Sequence, residues 1–232
     1  MQNAEVFRAR VGSMRKALKS RADLIFVNGP HAVTITDATL AAEAGGASVE
    51  QRAWWSWQDT ATAARPSLSA EYSGWEASHG VLTASLREHA PVDGILGFSQ
   101  GATAASILLA DLARSCPDLL PAFCILVGAF LPRDPDVVQG LRASRHAVPT
   151  LLVHGSSDML IPLARSEALR EAMGGRSELY VHRGAHLVPT CSGDFKRVLL
   201  AFLDRYAGAG QAGADGSMGP GANEQAAAVS GG

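Results

Sequence analysis

The stretch Gly94-Ile-Leu-Gly-Phe-Ser-Gln-Gly-Ala-Thr-Ala-Ala105 runs from an apolar segment, through a serine flanked by glycines, into a series of small residues. Ile95–Phe98 is short and apolar enough for a buried strand, and residues 100–114 are helix formers. Gly101, Ala102 and Ala105 are small enough to let that helix pack closely on a sheet. Glycines at 97 and 101 permit a sharp strand-to-helix turn with Ser99 at its apex. The pentapeptide G-x-S-x-G is weak by itself, because in a chain with 24 glycines it also arises by chance. Its surroundings have to decide.

Upstream of the turn Pro91-Val-Asp-Gly94, the positions Trp75, Val81, Leu82 and Leu86 mark one face of a helix. Downstream, strands are predicted at Phe123–Val127, Thr150–His154 and Glu178–His182, with a helical pattern over Leu163–Met173 and a closing helix over Phe195–Tyr206. Asp134 and Asp136 flank Pro135 and read as turn residues. At the other end, Asn3 is a plausible N-cap for a helix over residues 4–19, with Phe7, Val11, Met14 and Leu18 on one face. Leu24-Ile-Phe-Val27, ended by Asn28-Gly-Pro, has the pattern of a parallel strand buried on both sides. The alternation predicts an α/β domain over residues 1–206: an open, mostly parallel sheet with helices on both faces. Residues 34–74, which include Trp54-Trp55-Ser56-Trp57, are too long and mixed for a simple connection and read as a lid-like excursion. Residues 207–232 hold eight Gly and eight Ala, with Met218 and Val229 as the only larger apolar groups. They cannot repay ordering entropy, so a disordered tail is expected.

Composition excludes several classes of function. A formal charge of −2, from 22 acidic and 20 basic residues, leaves no patch suited to nucleic acid. No apolar run approaches the ~20 residues of a membrane span. Cys116, Cys124 and Cys191 are odd in number and lack C-x-x-C spacing, which argues against disulfides or zinc and for a reduced, cytoplasmic setting. Arg8, Arg10, Arg15, Lys16 and Lys19 could suit a mitochondrial transit peptide, but the apolar stripe among them favours a domain helix.

In an open parallel sheet, functional groups gather beyond the carboxyl ends of the strands. Ser99 follows one predicted strand, Asp158 in H-G-S-S-D follows a second, and His186 in R-G-A-H follows a third. A serine hydroxyl needs a neutral imidazole to take its proton, and that imidazole needs a carboxylate to fix its tautomer. The residue types and their order, Ser, Asp, His, match this demand, and the Gln100 N–H at the helix start faces a developing oxyanion. His154 and His182 lie within their strands and read as structural. Cys191 has no activating neighbour and reads as inert. His31, Trp54, Trp55 and Trp57 are possible pocket residues, with core packing or a backbone bond as the alternative.

Five segments together carry a resemblance: R-K-A-L-K-S-R-A-D-L-I-F-V-N-G-P-H, the W-W pair, G-I-L-G-F-S-Q-G, H-G-S-S-D-M-L-I-P and G-A-H-L-V-P. Over residues 2–206 the chain resembles the small α/β-hydrolases called the family of serine hydrolases. The resemblance implies a carboxylic-ester hydrolase with Ser99, Asp158 and His186 as nucleophile, acid and base, no cofactor, and a small acyl ester or thioester as substrate. It also implies a cytoplasmic or nuclear location. G-F-S-Q-G is shared with acyl-protein thioesterases, so an acyl thioesterase is the alternative. Family members begin with a strand and an H-G-x-x-Q-like loop; Gln2 matches the glutamine of that loop, and no strand or His-Gly precedes it here. This departure predicts a gap beside the strand at 95–98 and weak or no turnover, down to a non-catalytic, hydrolase-like binding protein.

Overall fold

The computed structural model describes residues 2–33, 50–58, 68–144, 147–174 and 176–206. Asn3 caps α1 (Ala4–Arg10), its side-chain oxygen accepting from the Val6 N–H at 2.9 Å. The single helix expected over 4–19 is two, because the chain turns at Val11 before α2 (Gly12–Leu18). The apolar stripe still packs inward: Val11, Met14 and Leu18 are buried.

Two short antiparallel ladders follow, β1 (His31–Val33) with β2 (Gln51–Ala53) and β3 (Ser56–Trp57) with β4 (Tyr72–Ser73). The last three of these strands belong to the excursion over 34–74; residues 34–49 and 59–67, like the tail 207–232, lie outside the described residues. Then come α3 (Trp75–Glu88), β5 (Gly94–Phe98), α4 (Gln100–Ser115), β6 (Phe123–Val127), α5 (Pro135–Ser144), β7 (Thr150–Gly155), α6 (Leu163–Met173), β8 (Ser177–His182) and α7 (Gly193–Tyr206). The helix α5 stands where the sequence suggested only a turn. Asp134 Oδ1 accepts from the Asp136 and Val137 N–H groups, and Pro135 occupies the first helical position, so the turn signature is a helix start.

The four long strands form one parallel sheet in the order β5-β6-β7-β8, with Ile95 beside Cys124, Cys124 beside Thr150 and Thr150 beside Ser177. Alternate side chains serve opposite faces. Ile125, Val127, Leu151 and Val153 pack with Val11, Met14 and Leu18 and with Phe195, Leu199 and Phe202 of α7. Cys124, Leu126 and Leu152 pack against α4, α5 and α6 through Leu109, Leu141 and Leu169. Burying one such leucine is worth roughly 1.5–3 kcal/mol, which holds the strand ends in register.

Leu24–Val27 is not a strand. It pairs with nothing in a ladder among the described residues, and Ile25 is 53% exposed. The outer edge of β5 likewise has no ladder partner among the described residues, and a cavity of about 1810 Å³ is lined both by Leu24–Val27 and by Gly94–Phe98. Ordinary ligand pockets hold roughly 300–1,000 Å³. The cavity reaches Ser99 and His186.

Candidate active site

Ser99 sits at the tip of β5 with φ 54° and ψ −121°, the only non-glycine residue with positive φ among those described. That strained conformation is held from both sides. The Ser99 N–H donates to the Val127 carbonyl at 2.8 Å, and the Ser99 carbonyl accepts from Ala102 at 3.0 Å and Thr103 at 3.1 Å. A Cβ on Gly97 would lie 2.5 Å from Ala102 Cα, so strand and helix meet this sharply only over a glycine.

Asp158 lies in the loop after β7, its side chain 1% exposed. Its Oδ1 accepts from the Leu160 and Ile161 N–H groups at 2.9 and 2.8 Å, leaving Oδ2 for His186. Burial alone would raise its pKa; the bond from His186, the two backbone N–H groups and the imidazole's charge outweigh it and hold the carboxyl below its ordinary value. His186, in the loop after β8, bridges the other two groups: Nδ1 is 2.6 Å from Asp158 Oδ2 and Nε2 is 2.8 Å from Ser99 Oγ. With a carboxylate on one side, Nδ1 carries the proton and Nε2 accepts from the serine hydroxyl. Three residues from three strand ends thus form one relay that can move a proton off a serine oxygen.

Two glycines that the sequence left unmarked make room for it. Gly128, at φ 61° beyond β6, would put a Cβ 2.9 Å from His186 Cε1. Gly155, at the end of β7, would put one 2.3 Å from the Ala185 carbonyl oxygen. Both directly follow or end apolar strands, which is the signal they offered. Phe98 packs its ring on the imidazole, 5.0 Å between centroids.

Gln100 opens α4, where the first N–H groups have no intrahelical partner. Its side chain clamps the tryptophan segment, Oε1 accepting from the Trp54 N–H and Nε2 donating to the Trp55 carbonyl, both at 3.0 Å. The pair then divides. Trp54 and Trp57 line the cavity, whereas Trp55 is 1% exposed and stacked on Tyr72 in a core cluster. His31 is also absent from the cavity lining; its Nε2 meets the Gly74 carbonyl at 2.8 Å. Neither His31 nor Trp55 lines this cavity.

His154 is buried on β7 with Nδ1 2.9 Å from Ser166 Oγ, whose own hydroxyl donates to the Ala129 carbonyl, so the imidazole is the donor. Burial, the largest influence, pulls its pKa down; Asp158 opposes this and His186 adds to it. Cys191 is buried and its thiol is pushed up by burial. Among the described residues no group of His, Cys, Asp and Glu could hold a metal ion, and no helix is long and apolar enough to cross a membrane.

A parallel sheet with helices on both faces, and a serine held at positive φ between strand and helix, define the α/β-hydrolase class. Esterase PE8 shares this fold over 88% of this chain and 87% of its own, with a TM-score of 0.61 and 22% identity. Arabidopsis thaliana SOBER1 L63A does so over 88% and 93%, with a TM-score of 0.54 and 13% identity. Residues 1–197 match the family described as Serine hydrolase (FSH1), and the chain belongs to that family of hydrolases. It is similar to human Esterase OVCA2, 32% identical over 212 residues covering 89% of this chain and 92% of the relative. The Xenopus tropicalis esterase of that name is 34% identical over 88% and 89%.

Proposed function

We propose that Ser99, His186 and Asp158 form a catalytic triad that hydrolyses carboxylic esters through an acyl-enzyme. Ser99 Oγ attacks the ester carbonyl while His186 Nε2 takes its proton, and Asp158 stabilises the imidazolium. The Gln100 N–H donates to the oxyanion. Collapse breaks the bond to the alcohol oxygen, which leaves with the proton from His186. Water then gives a proton to His186 and its hydroxyl to the acyl carbon, releasing the acid and restoring Ser99. Trp54 and Trp57 line the apolar walls for the substrate. The observation that carries this reading is the pair of contacts at 2.8 and 2.6 Å that His186 makes at once with Ser99 and Asp158. Three free thiols favour a reducing, cytoplasmic setting.

The test is Ser99→Ala. Turnover of a chromogenic acyl ester and labelling by a fluorophosphonate probe are both expected to vanish while the melting temperature holds. Unchanged turnover overturns the assignment. The same groups would serve a thioester, and matched oxygen esters and thioesters turned over side by side decide which is preferred.

A further inference from the structure

His182 ends β8, four residues before His186, and does not line the cavity. The Gly184 N–H donates to its Nδ1 at 3.0 Å. This is the two-residue reach that an Asp or Asn side-chain oxygen uses in an Asx turn. The bond fixes the tautomer: Nδ1 accepts, so the neutral ring carries its proton on Nε2, which is buried and unpartnered among the described residues. The turn it holds is also tied to the loop of Asp158. The Ser156 N–H donates to the His182 carbonyl at 2.7 Å, and the Ser157 N–H to the Gly184 carbonyl at 3.1 Å. Below it, the Gly184 and Ala185 carbonyls rest against Gly155, within 2.4 Å of where a Cβ would stand.

Resting on the triad reading above, we propose that His182 is a positioning residue for His186: its neutral ring holds the Gly184 N–H and sets the turn, and protonation of that ring releases it. A protonated ring presents an N–H at Nδ1 to the N–H of Gly184, and two donors cannot share one bond. The charged groups acting on His182 are His154 on β7 and Asp158 in the following loop. Burial, first, and His154 lower its pKa from 6.5, and Asp158 opposes them, so the ring is neutral at neutral pH and protonates only in acid. Activity on the acid side then depends on two imidazoles, His186 and His182, rather than one.

The experiment compares His182→Asn with His182→Phe in the full chain. Asn can accept from the Gly184 N–H but does not titrate; Phe fills space and cannot accept. His182→Phe is expected to lower kcat about tenfold with KM nearly constant, since small misplacements of a reacting group are costly. His182→Asn is expected to restore most of that loss at pH 8. It should also reduce the acid-limb slope of log kcat/KM from above one toward one, because that limb reports the free enzyme's ionisations. The proposal is overturned if Asn is as slow as Phe, or if the parent slope is already one. Should the Phe variant fail to fold, the slope of the Asn variant still decides. Ser99→Ala run alongside separates the two readings: full turnover there sinks the triad, whereas a dead Ser99→Ala with parent-like His182 variants sinks only the positioning role.

Discussion

Leu24–Val27 and Phe123–Val127 are both short apolar runs that read as parallel strands, and only the second is one. Cys124–Val127 is buried on both faces and bonded on both edges, to β5 and β7. Leu24–Val27 has similar side chains but no ladder among the described residues, and it borders a cavity shared with the open edge of β5. Apolar sequence supplies the wish to be buried; a strand exists only where neighbouring backbones meet it. The half of the molecule from β5 onward meets that condition, and it is the half that carries Ser99, Asp158 and His186.

The largest effect expected in that half is on turnover. In Asp158→Asn the amide can still accept from Leu160 and Ile161, but it then turns an N–H toward His186 Nδ1 and forces the wrong tautomer. A fall in kcat on the order of 10⁴ is expected with little change in melting temperature. A fall below tenfold in steady-state assays would show that the carboxylate does not orient the imidazole.

Next comes the strand that is fully embedded. Leu126, on β6, has no exposed surface and packs against the helices of its face, so Leu126→Ala is expected to cost about 2–5 kcal/mol in urea unfolding. A cost under 1 kcal/mol would mean that the centre of the sheet is looser than its packing indicates.

The candidate site and the strands of the parallel sheet are legible for the same reason. Rules that run along the chain, such as apolar run, turn, glycine-flanked serine or polar residue past a strand end, find Ser99, Asp158 and His186 because each is marked by its own neighbours. Gly128 and Gly155 were illegible because what they admit, an imidazole and a carbonyl, comes from β8's loop, more than 25 residues away in sequence. Trp54 and Trp55 are adjacent yet point to cavity and core, a choice made by Tyr72 and Gln100. The helix α5 was hidden because Asp-Pro-Asp starts turns and helices alike.

A smaller effect follows from the buried imidazole at the end of β7. The folded chain holds the His154 pKa below 6.5, so from pH 6.5 downward the unfolded chain binds a proton that the folded chain refuses. Its contribution is present above that pH and is lost as pH falls toward the folded value. Unfolding free energy measured in urea from pH 7.5 to 5 is expected to decline, and to decline less steeply in His154→Phe; equal slopes would remove His154 as the cause.

The smallest effect tests the other side of the comparison. With 53% of its surface exposed, Ile25 has little burial to lose, and Ile25→Ala is expected to cost under about 1 kcal/mol. Truncation alone is ambiguous, because a partly collapsed cavity could mask a real contact. Ile25→Lys removes the ambiguity. On a segment with one face open, the lysine stem lies on the apolar surface and the ammonium reaches water, so the cost stays near that of alanine. On a strand paired and buried on both faces, as the sequence pattern suggested, the same charge would be unpaired in the core and cost several kcal/mol. Amide exchange gives an independent view: the Ile25 and Phe26 N–H groups should exchange far faster than that of Ile125, which lies in the ladder. If lysine at 25 unfolds the chain and its amide is as slow as Ile125, then Leu24–Val27 is a strand in solution and the cavity beside β5 is closed.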